Sequence, residues 1–204
     1  MTLEIRIYVE GGGDGAATKG AVRQGFGAFL KPLRDSARRS RIGWRIIACG
    51  SRNSAFEDFS TALRTHPDAF NVLLVDSEDP VTAPPWTHLR QRDRWETPDL
   101  PDAHCHLMVQ TMEAWLLADR DALVRFYGLQ FSAGRLPGHS DVEQVDKRAL
   151  LGALKAATRN TGKGEYHKIR HGPKLLANLD PSKVRDAARN CDRLFSTLTD
   201  LMRD

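Results

Sequence analysis

The 204-residue chain carries 30 Lys and Arg against 26 Asp and Glu, with 7 His and a formal charge of +4. A chain of this length buries about 70% of the surface it exposes when unfolded, enough for one substantial core. No apolar run approaches the roughly 18 residues of a membrane helix, and the opening Met-Thr-Leu-Glu-Ile-Arg lacks the apolar block of a secretory signal. Cys49, Cys105 and Cys191 lack the Cys-x-x-Cys spacing of a zinc or redox pair. The expectation is a soluble, cytoplasmic protein with buried thiols and no membrane partner.

Residues 3–9, Leu-Glu-Ile-Arg-Ile-Tyr-Val, alternate with a period of two and predict a strand. The strand runs into Glu10, then Gly11-Gly-Gly-Asp-Gly15, a turn stripped of side chains that a ligand can approach closely. Val22, Phe26, Leu30 and Leu33 form one apolar stripe and predict a single helix over about 16–39. Trp44–Cys49 read as a second strand, followed by a helix capped by Asn53 or Ser54 with Phe56, Phe59 and Leu63 facing inward. Phe70–Val75 is a continuous apolar run, as in a strand covered on both faces, and it ends in Asp76-Ser-Glu-Asp-Pro80.

Strand, helix, strand, helix, strand is the α/β pattern, a mostly parallel sheet of about four strands flanked by helices. Ligands bind such sheets at the strands' C-terminal edge, where Glu10 and Asp76 both fall. If the strand conformation persists past Val75, Asp76 and Glu78 point to one side and Glu10 faces them. Carboxylates held so close repel one another and raise their pKa values unless a cation neutralises them. Mg²⁺, a hard ion that takes oxygen ligands and a substrate phosphate, suits that role, and phosphodiester hydrolysis follows as the natural chemistry. Asp79 is an alternative ligand within the same run.

From Pro80 to Ala103 five prolines argue against a long regular element, giving an irregular loop over about 80–104. Its Arg90, Arg92, Arg94, Trp86 and Trp95 read either as a lid touching nucleic acid or as a surface loop with its rings tucked against the body. His104–Gln110 returns as a fourth strand whose His104 and His106 share a face, a weak metal signal beside the reading of hydrogen-bonded strand histidines. Thr111 then caps a helix in which Glu113 is either a further metal or water ligand or a capping-box carboxylate. The helical pattern continues, or restarts near Asp119 or Asp121, through Leu123 to Tyr127 and stops at Gly128.

Residues 129–204 form a helical extension packing on a 1–128 α/β domain. It holds a helix around Leu150 and Leu154 and a break at Asn160–Gly164. Lys168 and Lys174 are cations suited to a phosphate, and little helix is expected around Pro173. A last helix from Pro181 to about Met202 packs across the domain or against a partner, with a homo-oligomer left open. Most of the positive excess lies in this half. Together with Lys31, Arg34, Arg38, Arg39, Arg41 and Arg45, it suits a polyanion as well as a solvated helix face.

Tyr-Val-Glu10-Gly-Gly-Gly-Asp, followed after two β/α units by Leu-Leu-Val-Asp76-Ser-Glu78-Asp-Pro, resembles the Toprim domain shared by topoisomerases, bacterial primases, RNA-maturation nucleases and overcoming-lysogenisation-defect nucleases. The resemblance covers about residues 3–80. Met-Glu-Ala-Trp-Leu-Leu-Ala-Asp at 112–119 and Tyr166-His-Lys168 are similar to stand-alone Toprim-like proteins encoded beside ATPases in prokaryotic defence loci. The resemblance implies Mg²⁺ or Mn²⁺ held by Glu10, Asp76 and Glu78, with Asp79 and Glu113 as further candidates and Lys168 at the phosphate. It also implies a nuclease acting on DNA or RNA, with a co-encoded ATPase as partner. Glu78 departs from the usual Asp and reaches about one methylene further. Two rivals remain: a Toprim-fold regulatory subunit of an ATPase complex, and a Rossmann nucleotide binder suggested by Gly11-x-Gly13-x-x-Ala16 but lacking an acid after the second strand.

Overall fold

The alternating segment forms β1 (Glu4–Glu10), the first strand of a computed structural model that describes residues 3–13 and 15–203. Asp14 of the glycine turn lies outside the described residues. After the turn come α1 (Ala16–Phe29), α2 (Lys31–Arg39), β2 (Gly43–Gly50), α3 (Arg52–Thr65) and β3 (Phe70–Asp76). Next are α4 (Pro85–Asp93), β4 (Cys105–Met108), α5 (Glu113–Ala118) and α6 (Arg120–Tyr127). Then follow α7 (Lys147–Thr158), α8 (Lys168–Leu176), α9 (Pro181–Ala187) and α10 (Arg189–Leu201).

The four strands pair in parallel in the order β2-β1-β3-β4, so their C-terminal ends share one edge. Ile7 lies opposite Ile46 on one side and Val72 on the other, which places β1 in the middle of the sheet. Side chains then divide by parity. Ile5, Ile7, Val9, Val72, Leu74 and Met108 face one core, shared with α1, α2 and the helices from α5 onward. Tyr8, Leu73, Val75, Cys105 and Leu107 face a second, shared with Ala55 and Phe59 of α3 and Trp86 and Leu89 of α4. The result is the expected α/β fold, a parallel sheet between two helical layers.

Residues 129–203 complete the first core. Phe29 stacks on Trp115 at 5.1 Å and meets Phe195 of α10 edge-on at 5.8 Å. Both halves of the chain therefore bury the same aromatic cluster.

Several segments differ from the sequence reading, among them the start of α5, which is capped by Met112 and not by Thr111. The helix expected over 16–39 breaks at Leu30, because Pro32 cannot donate back along the helix and its ring crowds the preceding turn. Ser51, not Asn53 or Ser54, caps α3, its hydroxyl accepting from the Ser54 amide at 3.1 Å. The 80–104 stretch is not irregular throughout: Pro84 and Pro85 stand at the cap and first position of α4, where a missing amide costs nothing. Its rings pack on the body, with Trp86 buried and Trp95 stacked on Phe56 at 4.3 Å. The helix expected from Pro181 onward divides at Ala188, where Glu143 accepts from the Asn190 amide at 2.7 Å and from its side chain at 2.9 Å.

Helix α8 forms despite Pro173. It lies so close to α1 that a Cβ on Gly25 would come within 2.6 Å of the Pro173 carbonyl oxygen, so tertiary packing overrides the proline's local preference. Among the described residues no helix is long and apolar enough to cross a membrane.

Candidate metal centre

Glu10 and Asp76 are the last residues of two adjacent parallel strands, which brings their side chains to the same sheet edge. The Asp76 amide donates to Glu10 Oε2 at 3.1 Å. Glu78 arrives by a route that strand alternation does not describe. β3 ends at Asp76, the Ser77 and Glu78 amides donate to the Met108 and Gln110 carbonyls, and Glu78 turns with φ +66°. A left-handed backbone at a non-glycine residue is strained, and here it aims a carboxylate at the cluster. Glu10, Asp76 and Glu78 each offer one oxygen, all within 4.8 Å of one another.

The surroundings hold each carboxylate. Asp76 is 2% exposed; its Oδ1 accepts from the Met112 amide at 2.7 Å, and its Oδ2 accepts from Thr111 Oγ1 at 3.2 Å and Lys168 Nζ at 3.1 Å. Burial raises the Asp76 pKa above its ordinary value, Lys168 opposes the shift and Glu113 adds to it. Glu10 is pushed up to about 7, by burial first and then by the neighbouring Asp76 charge, with Arg52 and Lys168 pulling the other way. For Glu78 burial also raises the pKa, but the hydrogen bond and charge of Lys147 outweigh it and the carboxyl ends below its usual range.

Three cations close the ring, each the first residue of its helix: Arg52 of α3, Lys147 of α7 and Lys168 of α8. Arg52 approaches Glu10 at 3.5 Å, Lys147 meets Glu78 at 2.6 Å and Lys168 meets Asp76 at 3.1 Å. A cation at a helix N-terminus opposes the macrodipole, so these positions cost helix stability and add to the positive potential there. The carboxylates thus sit among three helix starts, each with its first-residue cation paired to one of them.

Glu113 is fully buried beside this group. It accepts from Tyr166 Oη at 2.9 Å, shares the single Thr111 hydroxyl proton with Asp76, and lies 3.6 Å from Lys168. It bonds no backbone amide as a capping box would, and it holds Thr111 and Lys168, which in turn hold Asp76. Asp79 is not brought in: it is exposed and paired with Arg92 at 3.0 Å. His104 and His106 bond backbone carbonyls of Asn71 and Ala103 as ordinary strand histidines. His171 is buried against Tyr127, with 3.0 Å between its Nδ1 and the Tyr127 oxygen, and His167 caps α8.

Sequence reasoning overlooked Arg52 and Lys147. Arg52 carried a signal, since it directly follows β2 at the edge that bears Glu10. Lys147 carried none, because 69 residues separate it from Glu78. The donor set is hard oxygen on three converging carboxylates, and burial first, with neighbouring carboxylates second, raises the pKa values of Glu10 and Asp76, so these residues fit a divalent ion.

The profile of a family described as a domain of unknown function, DUF4276, matches residues 9–199. No curated protein and no solved structure matches the chain.

Proposed function

The chain belongs to the DUF4276 family, whose description names no activity, and we propose from the site that it is a Mg²⁺- or Mn²⁺-dependent phosphodiesterase acting on DNA or RNA. The observation that carries this reading is the convergence of Glu10, Asp76 and Glu78 within 4.8 Å at the C-terminal edge of the parallel sheet, under the start of α8 and its Lys168. Asp76 and Glu78 would hold the ion, which when bound would supply charge stabilisation at the phosphoryl oxygens. Lys168, kept protonated because the Asp76 and Glu113 charges outweigh its burial, receives a phosphate oxygen. Glu10, whose carboxyl titrates near neutrality, takes a proton from the attacking water. Tyr166, Thr111 and Glu113 keep Lys168 and Asp76 in register.

The likeness to stand-alone Toprim proteins of defence loci supports an effector role beside a co-encoded ATPase, working in the cytoplasm. Cleavage of labelled single- and double-stranded DNA and RNA in Mg²⁺ and Mn²⁺, with and without that ATPase, tests the reading. Glu10→Gln and Asp76→Asn should each lose more than about 100-fold, since even the outer partners of a metal site are worth 10–100-fold. Equal cleavage by wild type and both variants would refute this site.

One observation favours a second reading: each carboxylate already has an internal cation within 4 Å. A regulatory subunit using the cluster as a structural ion-pair network would bind the ATPase equally well as wild type, Glu10→Gln or Asp76→Asn, and would cleave nothing.

A further inference from the structure

Next to the carboxylates the sheet edge opens into a cavity of about 220 Å³, with Glu10, Asp76 and Lys168 at one end. The rest is hydrocarbon: Val22 and Phe26 from α1, Met112, and Ile169, Pro173 and Leu176 from α8. One wall is bare backbone, since Gly11, Gly12 and Gly13 all have positive φ, at 128°, 92° and 56°. A Cβ on Gly11 would lie 3.5 Å from Val22 and narrow the slot. An apolar cavity of about 150 Å³ stays dry and accepts benzene, so this one accepts a single heterocycle and not two stacked ones. Ile169, directly after Lys168, is 47% exposed at the lip, an apolar side chain that packing in the core does not explain.

We propose that this slot seats one unpaired nucleobase of the strand whose phosphate meets Lys168. The inference rests on the phosphodiesterase reading and names its substrate: a single-stranded or flipped-out nucleotide, held with its charge at the ion site and its ring in hydrocarbon. The complementarity lies in the site itself, with Lys168 at a helix start beside the carboxylates Glu10 and Asp76 at the polar end and no charged side chain beyond it. A paired base cannot enter, because its faces are covered by its stack. Beyond that polar end no lining side chain offers a hydrogen bond to the base, so the ring is held chiefly by apolar contact and dependence on sequence is weak, as on other stacking platforms.

The test uses the full chain with Ca²⁺ in place of Mg²⁺ and oligonucleotides carrying 2-aminopurine, single-stranded or in a duplex, with the free mononucleotide as a further arm. Single strands should bind at least about tenfold more tightly than duplex, with a change in 2-aminopurine emission and little dependence on flanking sequence. Ile169→Asp, a change at an exposed lip, should abolish the preference, and Ile169→Leu should restore it. Equal affinity for single and double strands, or an Ile169→Asp variant that binds like wild type, overturns the slot. A mononucleotide that binds as tightly as the strand also overturns it, since the site would then be a free-nucleotide pocket. The two readings fail separately. Loss of cleavage in Asp76→Asn with a silent Ile169→Asp removes only the slot. A preference that depends on Ile169 in a protein that binds no Mn²⁺ removes only the hydrolase.

Discussion

Glu10 shows most directly what the site costs the fold. Its carboxyl titrates at about 7 against 4.5 for an unperturbed Glu, because burial and the Asp76 charge disfavour the anion. The folded state therefore holds a proton that the unfolded chain has released, and stability falls as pH rises from 4.5 to about 7. The shift corresponds to roughly 2–3 kcal/mol for a side chain that keeps some solvent contact. We expect metal-free Glu10→Gln to be more stable than wild type above pH 7, by about 5 °C in Tm, and the two to converge near pH 4.5. Thermal melts across that range in chelator check this. Because an ion held by Asp76 and Glu78 would set positive charge beside Glu10 and favour its anion, Mn²⁺ affinity should rise with pH over the same window, with proton uptake by the buffer detectable calorimetrically. Glu10 and Asp76 were legible in the sequence because each ends an apolar strand. Arg52 was legible only from its place just after β2, and Lys147 not at all, because solvated helix faces are full of such cations and the tertiary fold selects the ones that turn inward.

At the scale of elements, the site depends on where α8 starts. Gly25 of α1 lets the Pro173 backbone approach, and this contact sets the height of α8 and so of Lys168. Gly25→Ala should cost about 1–3 kcal/mol through overpacking and should weaken phosphate binding, because α8 must shift outward. Urea melts and oligonucleotide titrations read the two effects independently. The strands and their order of appearance could be read from periodicity, since their apolar runs carry the signal. The breaks at Leu30 and Ala188, the helix α4 and the persistence of α8 through Pro173 could not be read in that way. Proline marks a local preference, and its outcome depends on whether it falls at a helix start, as Pro85 does, or in a contact that holds the helix together, as Pro173 does.

For the molecule as a whole, the helical extension is part of the body that carries the carboxylate cluster and not an appendage. Phe195 meets Phe29 across the first core, and Lys147 and Lys168 reach back from α7 and α8 to Glu78 and Asp76. A fragment of residues 1–128 should therefore lack a cooperative thermal transition and expose apolar surface to dye, whereas two independent domains would leave it folded. The extension's inward role was hidden in the sequence because its cations sit in polar segments without periodicity. The central claim, that Asp76 and Glu78 hold a divalent ion beside Glu10 of the neighbouring strand, is tested most directly by Mn²⁺ titration calorimetry at pH 8 on wild type and Asp76→Asn. We expect saturable binding by wild type and its loss in the variant with the thermal transition retained. Absence of Mn²⁺ binding to wild type, or identical isotherms for the two proteins, would contradict the claim.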